Sequence, residues 1–502
     1  MRRAAYILFV FLVFSGCGGK RDDFNTLFLR LAEEPSTLDP ALAVDVYSGG
    51  IIAKIHSTLV RFDENLKILP DVAEGWEISD DGKQYVFHLK KDVKFSDGSR
   101  VSAEDVKKSF ERILMADTLS SRKWMFEKVE GAADFIAGRT NEISGMEAPD
   151  ENTIVIKLEE AFAPFLSILA MPNASIIKMR DKEITGCGPY RIKQWARGEK
   201  IVLEKNPEYS GAGVCMARIL YRVIPNDFTA VSEFRQGKID ILGLNIPMLD
   251  ALEKAGYKDM FYSRPGLNTY YVGFNCRREP FDNADARKIF AKAIDKKQII
   301  KYVFNSRVEP AYSPVPPVLL YDGLWAMENN YIETTETVSF DRPFKLLINT
   351  SDEMQSIAEI CQHFWKKRGI EIEITQRDWN GFKEALNNSE FDMFILSWWA
   401  DYPDAENFLY PTFYSGNWGS AGNRVRYSNA EFDALITEAR AETDIELRQN
   451  LYREATNIIV EDSPWVFLWH KKDYCAVQPW VRDFKMFPLY YSDKGTGIKI
   501  TR

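Results

Sequence analysis

The chain has 502 residues, of which 45% are hydrophobic and 27% are charged, and its formal net charge at pH 7 is −9. This length and balance are typical of a globular protein of about three domains and exclude disordered and fibrous classes. The acidic balance and the lack of a long Lys/Arg run argue against nucleic-acid binding. The sequence contains no phosphate-binding glycine motif, no CxxC pair and no HExxH spacing, so we expect no cofactor and no metal site.

The N-terminus has the pattern of an export signal. Two arginines precede an apolar run over 4–14, and small residues lead to Cys17. The run is too short to span a bilayer. Because Cys17 ends a segment that resembles a bacterial lipobox, we predict a lipoprotein signal peptide over 1–16 and a tether over 17–26. Acyl chains on Cys17 would hold the protein at a membrane surface. The alternative is an ordinary signal peptide that ends near a cysteine.

Local patterns predict the first elements along the chain. Apolar alternation around an Asp-Asp-Gly-Lys turn predicts a β-hairpin over 76–89. Ser102 is expected to cap a helix with Val106 and Phe110 on its buried face. Asn283 is expected to open another helix.

The segment 343–396 has a βαβ pattern. Strands are predicted over 344–349, 371–375 and 392–396, with Ser351 capping the helix after the first strand. Further helices are predicted over 432–439 and 447–459. Because strands and helices are mixed throughout, the predicted fold class is α/β.

Five cysteines follow Cys17 in the chain. An exported compartment permits disulfides, so Cys187 and Cys215 are a candidate pair, with buried free thiols as the alternative. Cys361 lies on an apolar helical face and is expected in the core.

Several segments in register resemble family 5 of the extracytoplasmic solute-binding proteins of ABC transporters. They cover most of 27–502 and include the following: EPSTLDP at 34–40, LPDVAEGWEISDDGKQYVFHLKKDVKFSDGSRVSAEDVKKSFERI at 69–113, GPYRI at 188–192, LEKNPEY at 203–209, GFN at 273–275, PFD at 280–282, WWADYPDAENF at 398–408 and YSN at 427–429.

The resemblance implies a two-lobed clamshell with the type II periplasmic-binding-protein topology and an extra inserted domain. The expected boundaries place lobe one at 27–61, 178–268 and 471–502, the inserted domain at 62–177, and lobe two at 269–470. The chain would cross twice between the lobes, near 268 and 471, and these crossings would form the hinge.

Asp401 is the best candidate for ligand binding, because it follows a predicted strand. In peptide-binding members of the family, the acid at this place holds the ligand's α-ammonium. A capping or surface role is the alternative. The resemblance also implies that Trp398 faces the cleft, with Tyr402 or Trp399 packed behind it. An aromatic wall suits varied apolar side chains.

The family's peptide receptors also bind the ligand backbone by strand addition. The corresponding main-chain groups here are those of 31–34 and 397–399. Weaker candidates for the cleft wall are Tyr47, Trp124, Asn423 and Tyr427. The substrate-binding candidates are therefore Asp401, Trp398, Trp399, Tyr402, Ser397, Glu33, Glu34, Asn423 and Tyr427. The loop 350–352 lacks the arginine by which dipeptide receptors hold a carboxylate, which favours longer peptides.

The leading hypothesis is a monomeric, non-catalytic receptor that captures peptides at the periplasmic or extracellular face of a membrane and delivers them to separate ABC permease subunits. One alternative is a receptor of the same family for a nickel chelate, haem, an oligosaccharide or an opine. Another is a sensor or chaperone on the same fold. An enzyme that uses Asp401, Asp404 and Glu406 is disfavoured, because these acids share one short loop.

Overall fold

A computed structural model describes residues 25–181, 183–320, 340–419 and 422–501. The predicted signal peptide, most of the tether and Cys17 lie outside these residues. The helices are α1 (Val46–Ile55), α2 (Ala103–Leu114), α3 (Ala132–Ile136), α4 (Phe165–Ile168), α5 (Asp227–Arg235), α6 (Ile246–Lys254), α7 (Ala284–Lys292), α8 (Lys296–Val303), α9 (Asp352–Lys366), α10 (Trp379–Asn388), α11 (Glu406–Phe413), α12 (Ala430–Ala441) and α13 (Ile445–Asp462). None of these described helices is long and apolar enough to cross a bilayer.

The strands form one long mixed sheet and several small sheets. They are β1 (Thr26–Leu31), β2 (Val60–Phe62), β3 (Ile68–Pro70), β4 (Ala73–Ile78), β5 (Gln84–Leu89), β6 (Met146–Asp150), β7 (Thr153–Lys157), β8 (Ile177–Arg180), β9 (Glu183–Gly186), β10 (Tyr190–Ala196), β11 (Lys200–Lys205), β12 (Arg218–Val223), β13 (Ile241–Leu244), β14 (Phe261–Pro265), β15 (Asn268–Phe274), β16 (Val308–Pro310), β17 (Phe344–Asn349), β18 (Ile372–Arg377), β19 (Met393–Trp399), β20 (Trp465–Val477), β21 (Val481–Arg482) and β22 (Lys499–Ile500).

The long sheet divides into two halves joined by β20. Its order is β10-β11-β12-β1-β13-β20-β15-β19-β17-β18, with β14 and β16 also paired to β20. The first part of β20 pairs with β15 and β16, and its second part pairs with β13 and β14. We call the half that contains β1 lobe one and the half that contains β19 lobe two. The residue boundaries predicted for the lobes stay a prediction.

A separate four-stranded antiparallel sheet, in the order β4-β5-β7-β6, builds a third unit, here called the inserted unit. The predicted hairpin is confirmed as β4 and β5, with Gly82 at φ +67° in its turn, where a residue without Cβ is favoured. The predicted helix is α2. Ser102 caps it by a reciprocal capping box with Asp105. Val106 and Phe110 are buried as expected.

The predicted βαβ segment of lobe two is confirmed as β17, α9, β18, α10 and β19. Ser351 precedes α9, but its side chain makes no capping hydrogen bond. The last strand is longer than predicted: β19 runs to Trp399, because its pairing with β15 continues to the pair Trp399–Asn268. Ser397, Trp398 and Trp399 therefore belong to the strand and not to the loop that follows it.

All five cysteines in the described part of the chain are free. Cys187 is buried and Cys215 is exposed, so the candidate disulfide between them is not formed. Burial raises the pKa of the Cys187 thiol to about 12, as expected for an unreactive core residue. Cys361 is fully buried, which confirms its prediction as a core residue.

Candidate functional site

A cavity of about 640 Å³ opens where the two lobes and the inserted unit meet. Its lining comes from the end of β1, the start of α1, the segment after β19, the second part of β20 and the C-terminal segment 484–490. A neighbouring cavity of about 580 Å³ shares Tyr47, Trp399 and Asp473 with it, so the two form one cleft. The apolar residues of the larger cavity include Leu29, Leu31, Val44, Val46, Ile51, Ile241, Leu267, Phe484, Met486, Phe487, Pro488 and Leu489.

Asp401 lines this cavity, and two hydrogen bonds fix its backbone. Its N–H donates to Asn407 Oδ1 at 3.1 Å within lobe two, and its carbonyl accepts from the Tyr491 hydroxyl at 2.8 Å. Its side chain is 43% exposed, and Arg122 Nη1 lies 3.7 Å from Oδ1. Burial raises the pKa of Asp401, and Arg122 opposes that shift. The carboxylate is therefore positioned at the cavity with an ion pair to Arg122 but no hydrogen bond among the described contacts.

The two tryptophans of the strand end have the reverse of their expected roles. Trp399 is 49% exposed and lines both cavities. Trp398 packs against the core, and its indole N–H donates to the carbonyl of Asn407 at 2.7 Å. Since β19 continues through both residues, they must point to opposite faces of the sheet. The expectation that Trp398 faces the cleft is wrong, and Trp399 forms the aromatic wall.

Tyr402 is buried directly behind Asp401. Its hydroxyl donates a short hydrogen bond to Glu406, and its ring lies 6.4 Å from that of Trp124. Glu406 is also buried and pairs with Arg440 at 2.8 Å. Burial raises the pKa of Glu406, and Arg440 opposes that shift. Tyr402 and Glu406 thus support the loop that carries Asp401, and neither lines the cleft.

The strand edges expected to bind a ligand backbone reach the cleft. Within the described chain, β1 pairs with β13 only at Leu29, and β19 pairs with β17 only at Met393 and Phe394. The backbones after these points therefore keep one edge without a strand partner. Leu31 lines the larger cavity and Ala32 the smaller one.

The side chains at these edges have other roles. Glu34 accepts hydrogen bonds from the Trp195 indole at 2.9 Å and from the backbone of Gly198 at 3.0 Å, so it braces lobe one. Glu33 is exposed. The Ser397 hydroxyl accepts from the Trp399 indole at 3.2 Å and orients that ring. Any contribution of Glu33, Glu34 and Ser397 to strand addition would come from their main chains.

Asn423 and Tyr427 lie inside lobe two and not at the cleft. The Asn423 amide donates to the carbonyls of Phe413, Tyr414 and Tyr427, and its Oδ1 accepts from the backbone of Tyr427. The Tyr427 hydroxyl donates to Asp462. Both side chains are buried with their hydrogen-bonding capacity used, which corrects their assignment to the cleft wall.

Sequence reasoning missed several charged residues of the cavity. Arg122 comes from the inserted unit, and Arg264 of β14 pairs with Asp473 of β20 at 2.7 Å. Lys54 is 4% exposed and contacts Asp493 at 3.1 Å. Burial alone would lower the pKa of Lys54, but Asp493 raises it. A single charged residue, Lys54, in a helix without other charges was the local signal available for these groups.

The described residues contain no group of three or more His, Cys, Asp and Glu side chains that could hold a metal ion. The cleft offers one loosely paired carboxylate, an aromatic ring and apolar walls. These are groups that bind a solute between two lobes, and the molecule thus has the architecture of a two-lobed solute-binding protein.

Comparison with known proteins agrees with this class. A family model described as bacterial extracellular solute-binding proteins, family 5, matches residues 67–420, which is more than half of the chain. The chain belongs to this family, whose members bind solutes and are not enzymes.

The relatives and structural neighbours cover nearly the whole chain. The probable D,D-dipeptide-binding periplasmic protein DdpA of Escherichia coli is 28% identical, over 93% of this chain and 92% of its own. Heme-binding protein A of Haemophilus influenzae is 28% identical, over 96% and 93%. The structure of the Escherichia coli murein tripeptide binding protein MppA superposes with a TM-score of 0.73 at 24% identity, over 95% and 98%. The expected type II fold is confirmed.

Proposed function

We propose that this protein is the extracytoplasmic receptor of an ABC importer, which captures peptides between its lobes and delivers them to a membrane permease. The observation that carries the proposal is the carboxylate of Asp401, held at the cavity by two backbone hydrogen bonds while its side chain stays 43% exposed. An ammonium enclosed in such a cleft loses water, and a carboxylate compensates the charge.

The rest of the cleft supports the same ligand class. The open edges of β1 and β19 can bond to an extended backbone of any sequence, and Trp399 with the apolar walls can pack against varied side chains. The similarity to a heme-binding protein keeps a non-peptide solute as the second candidate. The placement of Asp401 favours a ligand with a cationic end.

We further propose that the protein is a monomer anchored by lipid on Cys17 at the periplasmic or extracellular face of the cell envelope. This rests on the charged and apolar segments that precede Cys17. Labelled fatty acid should be incorporated into the wild-type protein and not into Cys17→Ser. Equal labelling of both would overturn the anchor.

Asp401→Asn tests the peptide-binding proposal. The substitution keeps the size of the side chain but removes the charge, and an uncompensated buried ammonium costs about 3–5 kcal/mol. Affinity for peptides with free N-termini should therefore fall by roughly 10²- to 10³-fold or more. Asp117→Asn removes an exposed acid away from the cleft and should leave affinity unchanged.

N-acetylated peptides supply the second arm of this experiment. They carry no ammonium, so the wild-type protein should bind them weakly. Asp401→Asn should reduce their affinity far less than it reduces the affinity of peptides with free N-termini. Calorimetry on both proteins, wild type and Asp401→Asn, with both kinds of peptide separates charge recognition from a general loss of fold. Equal losses for free and acetylated peptides would show that Asp401 does not bind the N-terminus.

A further inference from the structure

Arg122 gives the cleft a second charge beside Asp401. It lies between α2 and α3 of the inserted unit, whereas Asp401 follows β19 of lobe two, so two separate units bring these charges together at the cavity. Arg122 Nη1 is 3.7 Å from Asp401 Oδ1, which is an ion pair but too long for a hydrogen bond. Each group therefore keeps hydrogen-bonding directions that point into the cavity.

The position of Arg122 is fixed by its own unit and by lobe one. Its Nε donates to the carbonyl of Ala43 at 3.3 Å, and its backbone N–H donates to Ser120 Oγ at 3.0 Å. Its side chain is only 16% exposed. A guanidinium held in this way cannot leave easily for water when a ligand arrives.

A ligand ammonium at Asp401 therefore enters next to a fixed cation. If the ligand carries only the ammonium, Asp401 must compensate two positive charges, and the largely buried guanidinium loses part of its counter-charge. If the ligand also carries an acid near the ammonium, each charge of the protein meets an opposite charge of the ligand. Arginine suits the second contact, because its planar donors match a carboxylate.

We propose that Arg122 is a specificity-determining residue that selects ligands with an acidic group beside the N-terminal ammonium, such as peptides that begin with aspartate. The ammonium binds Asp401 and the neighbouring carboxylate binds Arg122. This inference rests on the proposed peptide function and names a substrate class for the same site.

The test compares Asp-Ala-Ala with the isosteric Asn-Ala-Ala, both with free N-termini. Calorimetry at pH 7 on wild type should give a roughly tenfold tighter dissociation constant for the aspartyl peptide. In Arg122→Met that ratio should fall to about twofold or less, and Arg122→Lys should restore part of it. Lys123→Met removes the neighbouring charge, which does not line the cavities, and should keep the wild-type ratio. The ratio within one variant is insensitive to a partial loss of fold.

The outcomes separate this inference from the proposed function. A ratio near one in wild type, or an unchanged ratio in Arg122→Met, overturns the role of Arg122 while leaving the loss of affinity in Asp401→Asn intact. Tighter binding of both peptides by the same factor in Arg122→Met would make Arg122 only a competitor of the ammonium, which also overturns the inference. If Asp401→Asn affects neither peptide, the proposed function itself fails.

Discussion

The two ends of β19 carry aspartates in opposite situations. Asp392 directly precedes the strand and is fully enclosed, with its carboxylate bonded to Arg342 at 2.8 and 3.0 Å, to Arg278 at 3.2 Å and to the Lys345 N–H at 2.8 Å. Burial alone would raise the pKa of Asp392, but its bonds to Arg342 lower it overall. Asp401 follows the strand, faces the cavity, and has a raised pKa.

This contrast shows how one strand serves both stability and binding. At the first end every acceptor direction of the carboxylate is used by the protein, so the charge fixes lobe two. At the second end the described hydrogen bonds involve only the backbone of Asp401, and its carboxylate has a long ion pair with Arg122. A carboxylate whose pKa is raised by burial at a cavity is typical of a functional group.

The largest expected effect is on stability. Asp392→Asn should lower the free energy of unfolding by about 3 kcal/mol, because one partner of a buried charge network is removed. The same change at the other end, Asp401→Asn, should leave stability within about 1 kcal/mol of wild type, since its ion pair with Arg122 is long and its carboxylate is partly exposed. Denaturant unfolding at pH 7 without ligand measures both. Equal losses of unfolding free energy in Asp392→Asn and Asp401→Asn would contradict the assignment of stability to the first end of β19 and binding to the second.

Substitutions of the two neighbouring tryptophans should likewise differ, with one affecting binding and the other affecting stability. Trp399→Ala should weaken the binding of peptides with large apolar side chains by about tenfold, because an aromatic contact contributes roughly 1–1.5 kcal/mol. It should leave the melting temperature close to that of the wild-type protein. Trp398→Ala should mainly lower the melting temperature, because it removes a core contact and the bond to Asn407. Calorimetry and thermal melting on both variants decide this. If Trp398→Ala is the variant that loses binding at unchanged stability, our assignment of the two faces is wrong.

The smallest expected effect is on the pH dependence of binding. Because the pKa of Asp401 is raised, this carboxyl group in the free protein becomes protonated at a higher pH than an ordinary aspartate. Binding of an ammonium requires its deprotonated form. Affinity for free N-termini should therefore decrease as the pH is lowered from 6.5 to 4.5, toward the raised pKa of Asp401. In Asp401→Asn, and for acetylated peptides, this dependence should be absent. A decrease of the same size in Asp401→Asn would assign the titration to another group.

The stabilising effect of Asp392 should behave differently over the same pH range. Its pKa is lowered in the folded state, so its contribution to stability is present above the unfolded value of 3.8 and is lost only as the pH falls through the lower folded value. The difference in unfolding free energy between wild type and Asp392→Asn should thus stay constant from pH 6.5 to 4.5.

Much of the fold was predictable because its signals are local. The turn at Gly82, the cap at Ser102 and the strand 344–349 are set by neighbouring residues, and all are confirmed. The placement of Trp398 failed because it was carried over from the family resemblance, whereas the facing of each residue is set by the register of β19, which runs three residues beyond the predicted strand. Asn423 was misassigned because a polar residue in a glycine-rich loop gives no sign that its amide bonds the loop itself.

The partners of Asp401 could not be predicted at all. Arg122 and Tyr491 approach it from segments far away in the chain, and no local pattern marks either residue as belonging to the cleft. The sequence could indicate the acid through its strand and its family resemblance. The electrostatic setting of that acid depends on how three separate units of the molecule meet.

The most direct test of the account is a crystal structure of the protein with a bound tripeptide that has a free N-terminus. We predict that the ammonium nitrogen lies within hydrogen-bond distance of the Asp401 carboxylate, about 2.7–3.2 Å. The peptide backbone should extend along the open edges of β1 and β19. A peptide whose ammonium lies elsewhere in the cleft, with Asp401 still facing only Arg122, would contradict the central claim.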